Sequence, residues 1–202
     1  MINIIKDVDL FDNLEGYDAI LVGTNTYSVM SQGLQLKVML NYPYVFEKNL
    51  DTKYGDPTKV GTILECKSEE EPTFCLCFIT KGYNFRPDIL SDYLEYEGLE
   101  KCLKLVNVLY KGKKVATPML GASRFDGNGD KDKILEIFKA IITDVNLTIY
   151  DYYQKGRDEE LLEILKNESK VKETDRDAYY KMVKERKAEA EKRFQKNGHR
   201  RY

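Results

Sequence analysis

The stretch TPMLGASRFDGNGDKDKILEIF, residues 117–138, runs from an apolar segment through a Gly/Asp-rich turn into a periodic pattern. Ile134, Ile137, Phe138 and Ile141 recur at helical spacing after Asp130, while KKVATPML ahead of the turn reads as a strand. A strand, a turn of small residues and a helix start form a junction where backbone N–H groups can approach an anion. Other uses of such a junction fail on residue type. A calcium loop beginning at Asp126 needs glycine where Lys131 stands and a bidentate glutamate where Ile137 stands. GASRF lacks the second glycine of a nucleophile elbow, because Phe125 takes its place. The spacing of Gly121, Gly127 and Gly129 fits neither a P-loop nor a dinucleotide fingerprint. A turn that binds an anion and a turn that is only structural both stay open on these residues.

Composition narrows the chemistry. The chain has 202 residues, 42% hydrophobic and 33% charged, enough for one substantial core with an appendage. The single histidine, His199, lies next to the basic end of the chain, which removes Ser-His-Asp triads, Cys-His dyads and most zinc sites from the body. The four cysteines form no CxxC pair, and TFCLCFIT reads as a buried strand, so inert thiols are expected. No cofactor and no metal is called for. No apolar run approaches the ~20 residues of a membrane span, and MINIIKDVDL turns acidic too soon for a secretory signal. A cytoplasmic protein with no membrane partner is the expectation.

INIIK, YDAILVG, GTILEC, TFCLCFIT, KKVATPML and NLTIYDYY read as strands. GLQLKVMLNYP has helical spacing and should end before Pro43. Pro87 should open a helix running to about Tyr110, with Leu90, Leu94, Leu99, Cys102, Leu103 and Val106 on one face, and a second helix should span 131–142. Strands alternating with helices predict an α/β fold, a mixed sheet between two helical layers, over residues 1–153. Residues 154–202 change character. They are charge-dense and strong in helix formers, and 181–202 carries nine Lys/Arg against three Glu. They predict a charged helical extension that packs on the body or on a second copy of the chain. No aromatic stacking pattern accompanies the charge, so nucleic acid is the lesser expectation.

Four segments read together are more specific than any one alone. DLF (residues 9–11) follows the first strand. YDAILVGTNTYSVMSQGLQLKV gives a strand, a polar turn with Asn25 and a Gly33-bearing helix start. FITKG ends a strand at Lys81, and PMLGASRFDG ends another. This order resembles the macro domain, a three-layer α/β/α fold that binds ADP-ribose, and within it the branch of terminal ADP-ribose protein glycohydrolase.

The resemblance implies roles. Asp9, beside Leu10, matches the acid that accepts from the adenine amino group, with Val8 where the family has glycine. Asn25 matches a polar residue beside the distal ribose. Ser31, Gln32 and Gly33 occupy the first phosphate-facing loop, of whose usual glycine run only Gly33 is present. Gly121, Ala122, Ser123, Arg124 and Phe125 occupy the second loop, where amides would cradle the diphosphate and Phe125 would cover the ribose. Lys81 matches a lysine that attacks the anomeric carbon, and Asp126, one residue beyond the family's acid, would assist it. An attacking amine must be neutral, which burial of Lys81 could bring about and a nearby Asp126 carboxylate would oppose unless it took the proton.

Two classes of function follow. One is a hydrolase that removes ADP-ribose from glutamate or aspartate side chains, or deacylates O-acyl-ADP-ribose. The other is a binding module for ADP-ribose or ADP-ribosylated protein, without turnover. A third reading makes the protein a bacterial or bacteriophage accessory factor that sequesters nucleotide or acts through its extension.

Overall fold

YDAILVG and TFCLCFIT contain hardly a polar residue, which is the pattern of strands covered on both faces. In the computed structural model every residue of the corresponding strands, β2 (Ala19–Asn25) and β4 (Phe74–Thr80), is buried. The structure describes residues 1–30, 33–69, 71–82, 92–123 and 126–152. The remaining strands are β1 (Ile2–Lys6), β3 (Ile63–Cys66), β5 (Lys114–Pro118) and β6 (Asn146–Asp151). They form one sheet in the order β1-β6-β5-β2-β4-β3. All neighbours pair in parallel except β3, which lies antiparallel on β4 with Ile63 opposite Cys77.

Among the described residues four helices cover the sheet: α1 (Gly33–Asn41), α2 (Pro43–Leu50), α3 (Tyr96–Leu109) and α4 (Lys131–Ile141). Leu21, Cys75, Cys77, Ile79, Val115, Leu147 and Ile149 form one core with Leu99, Leu103 and Val106 of α3 and Ile134 and Phe138 of α4. Residues of the opposite parity, among them Ile20, Val22, Leu76 and Phe78, are buried as well, with α1 lying on β2 and α2 on β3. The two-residue alternation of a strand therefore feeds both cores. This is the predicted mixed sheet between helical layers. All four cysteines are reduced and buried, Cys66 on β3, Cys75 and Cys77 on β4, and Cys102 on α3. No helix among the described residues is long and apolar enough to cross a membrane.

Two helix boundaries differ from expectation. The helix expected from Pro87 begins, in its described part, only at Tyr96, and residues 92–95 are not helical. Leu94 lies outside that helix and packs against Gly121 and Gly129, while its N–H donates to the Asp92 side chain. A tertiary contact has claimed an apolar residue that helical spacing assigned to α3. Pro43 does end α1, but it also opens α2 at a first-turn position that needs no N–H donor. The compact body spans Met1–Tyr152. The expected helical extension lies outside the described residues.

Candidate functional site

Since β1, β6, β5, β2 and β4 run parallel, their carboxyl ends share one edge of the sheet, where ligands of open α/β sheets bind. Asp9 follows β1, Asn25 ends β2, Lys81 follows β4, and residues 119–130 follow β5. Gly33, the first residue of α1, follows the turn after β2. Of the predicted site, Ser31, Gln32, Arg124 and Phe125 lie outside the described residues.

Asp9 caps a short 3-10 turn, Leu10–Asp12, and its Oδ1 accepts from the Phe11 N–H at 2.9 Å. This is ordinary capping by a carboxylate, and it fixes the side chain. The other oxygen, Oδ2, pairs with Lys37 Nζ of α1 at 2.5 Å. Leu10 is buried, and its N–H meets no acceptor among the described residues. The end of β1 thus presents an acceptor next to an uncommitted donor.

Helix α1 carries a second link two residues earlier. The Nε2 of Gln35 stands 3.5 Å from Asp126 Oδ1, and the buried Oε1 of Gln35 has no hydrogen-bond partner among the described residues. Asp126 Oδ2 accepts from the Gly121 N–H at 2.9 Å. A Cβ built on Gly23 would fall 2.4 Å from one carboxylate oxygen and 2.7 Å from the other. The carboxyl is therefore pressed against the backbone of β2, in space that only a glycine leaves open. Burial pushes Asp126 up to about 7, against the opposing pull of the Gly121 and Gln35 N–H groups.

The second loop is closed by its own bonds. Gly121, at φ +78°, donates to Asp126, and its carbonyl accepts from Gly129 N–H at 2.8 Å. The Ala122 N–H donates to Met119 O, and Ser123 O accepts from both Asp126 and Asn128. The expected cradle is altered here: the Gly121 amide serves Asp126, and Asp126 is an enclosed acid.

The Asn25 side chain is also committed locally. Its Nδ2 donates to Val29 O, and its Oδ1 accepts from the Tyr27 and Val29 N–H groups. Below this turn, Ser28, at φ 56°, donates to Asn49 O, and the buried Lys59 donates to Thr52 Oγ1 at 2.8 Å. Burial brings Lys59 down to about 8, against the upward pull of Asp56.

Lys81 lies at the surface. Its side chain is 63% exposed and ion-paired with Glu95 at 2.8 Å. The burial that would ready an amine for attack is not there. A groove of about 800 Å³, lined by Asn3, Phe11, Tyr17, Tyr42, Thr148 and Tyr150 among others, takes none of the predicted site residues. Reading the sequence missed Lys37, Gln35, Gly23 and Glu95. Only the spacing Gly33–Gln35–Lys37 at the start of α1 hinted at the first two.

No protein-family model and no curated protein sequence matches this chain. Solved structures do. The macrodomain of Mycobacterium tuberculosis DarG aligns over 76% of this chain and 99% of its own, with TM-score 0.56 and 18% identity. A macrodomain protein from Streptomyces coelicolor covers 76% of this chain and all of its own, 100%, with TM-score 0.55 and 15% identity. Thermosipho africanus DarTG, solved in complex with ADP-ribose, aligns over 73% of this chain and 41% of its own, with TM-score 0.57 and 20% identity. Strand order, helix placement and these likenesses agree, and the body of this chain has the macro-domain fold.

Proposed function

We propose that the body binds ADP-ribose or a related ADP-ribosyl nucleotide at the carboxyl edge of the sheet, without turnover through Lys81. The observation that carries this reading is the end of β1. There the Asp9 carboxylate, an acceptor, sits beside the uncommitted Leu10 N–H, a donor. An adenine edge offers the complement, an amino group that donates and a ring nitrogen that accepts. The ADP-ribose complex of Thermosipho africanus DarTG supports the choice of ligand. The exposed, paired state of Lys81 argues for binding over covalent attack.

Calorimetric titration with ADP-ribose, AMP and ribose 5-phosphate tests it. Asp9→Ala should weaken ADP-ribose by ~1.5–3 kcal/mol, the worth of a hydrogen bond to a charged group, and leave ribose 5-phosphate unaffected. Equal losses for both ligands would make Asp9 structural. No heat with ADP-ribose would favour the accessory reading, in which residues 154–202 act.

One observation favours hydrolysis as the second reading. Asp126, raised to about 7, is a carboxyl able to hand over a proton near neutrality. If it does so, Asp126→Ala should slow release of ADP-ribose from a glutamyl conjugate ~10²–10⁴-fold. Borohydride should then trap a sugar adduct on Lys81. Binding without adduct or release across acidic-side-chain and O-acyl conjugates would end that reading.

A further inference from the structure

The pairing of Asp9 with Lys37 changes what the base end of the cleft can read. Asp9 Oδ1 is held by the Phe11 N–H, so Oδ2 is the oxygen turned to a ligand, and it already faces the Lys37 ammonium at 2.5 Å. Lys37 is steadied from the other side by the Phe11 ring, whose centroid is 5.7 Å from Nζ. Phe11 and Tyr42, with centroids 5.9 Å apart and planes tilted by 56°, add an aromatic flank. The side chains of Lys37 and Asp9 keep 35% and 16% exposure, so the pair is within a ligand's reach.

An adenine amino group arriving here brings donors to an oxygen that already has one, and sets them against an ammonium. The 6-oxopurine edge is reversed, with an accepting O6 beside a donating N1–H. O6, with two lone pairs, can accept from Lys37 and from the Leu10 N–H while N1–H donates to Asp9 Oδ2, and the ion pair need not open. We propose that Asp9 and Lys37 together read the 6-position of a purine, so that the cleft takes hypoxanthine or guanine diphosphate ribose at least as well as the adenine form. This rests on the cleft reading above, with Asp9 at the base.

The experiment is a titration of the full chain with ADP-ribose and with inosine diphosphate ribose. The inosine form should bind at least as tightly as ADP-ribose. Lys37→Met should weaken the inosine form on the order of tenfold or more, as losing a hydrogen bond from a charged donor does, and turn the preference towards ADP-ribose. Lys37→Arg should keep the wild-type preference, and it carries the test if the methionine variant melts early. Weaker binding of the inosine form by the wild-type chain, or equal losses for both ligands in Lys37→Met, would overturn the base assignment alone. Failure of both ligands to bind would overturn the cleft reading, and the base assignment with it.

Discussion

An ideal Cβ on Gly23 would also meet Ile79 Cδ1 at 2.8 Å, so a side chain there must displace the carboxyl of Asp126 and the core beside it. Gly23→Ala should therefore cost about 1–3 kcal/mol, the usual range for overpacking, read as a lowered urea midpoint. Asp126 itself titrates across the working range. Its folded value of about 7 lies above the ordinary 3.8 of an unfolded chain, so the folded state holds the proton longer. The contribution to stability is then fully present below pH ~4 and lost as pH rises through 7. Asp126→Asn keeps an acceptor for the Gly121 N–H and offers a donor to the orphaned Oε1 of Gln35. It should flatten the fall in stability between pH 4 and 7 and gain about 1–3 kcal/mol at pH 8. Urea melts of both proteins at pH 4.5, 6 and 8 check this, and parallel pH profiles would contradict it. Asp126 stood out in the sequence as an acid in a Gly-rich turn. Its burial did not, because that depends on a missing side chain on a distant strand.

Among the elements, the turn after β2 shows how a loop is held from below. Lys59 lies buried beneath it, its ammonium on Thr52 Oγ1 and 4.8 Å from the Phe78 ring centroid. With a folded value of about 8 against 10.5 unfolded, this lysine releases its proton first in the folded state. Stability should then rise between pH 8 and about 10. Lys59→Met should lose that rise and, by removing a desolvated charge, gain about 1 kcal/mol at pH 7. Urea melts at pH 7 and 9.5 give the comparison. The strand-end lysine after β4 should behave differently. Lys81→Ala should change ADP-ribose affinity by less than about twofold, because exposed ion pairs contribute little. A loss above tenfold by calorimetry would put Lys81 at the ligand. The strands and α4 were legible from apolar runs and spacing because local pattern and burial agree there. The start of α3 was not, since Leu94 answers to Gly121 and Gly129, and no local pattern records a contact across the loop after β5. The partners of Asp9 and Lys81 were hidden for the same reason. Lys37 and Glu95 reach them only once the sheet is assembled.

At the scale of the whole molecule, parallel pairing is what brings scattered motifs to one edge of the sheet. DLF, the turn at Asn25, ITK and the Gly121 turn are far apart in sequence, yet each ends a strand that points the same way. Their order was readable because topology, not close packing, brings them to one edge. The body spans Met1–Tyr152 and includes all six strands. A chain ending at Tyr152 should accordingly melt in one cooperative transition and bind ADP-ribose within about threefold of the full chain, by calorimetry. The four reduced cysteines carry a further consequence. They sit on β3, β4 and α3, all out of reach of solvent, and burial pushes the Cys66 thiol up to about 12. A thiol reagent can label them only when the sheet parts from α3 or, for Cys66, from α2. Labelling of the native protein is then a clock, wound by the opening of its centre, that times unfolding without any denaturant.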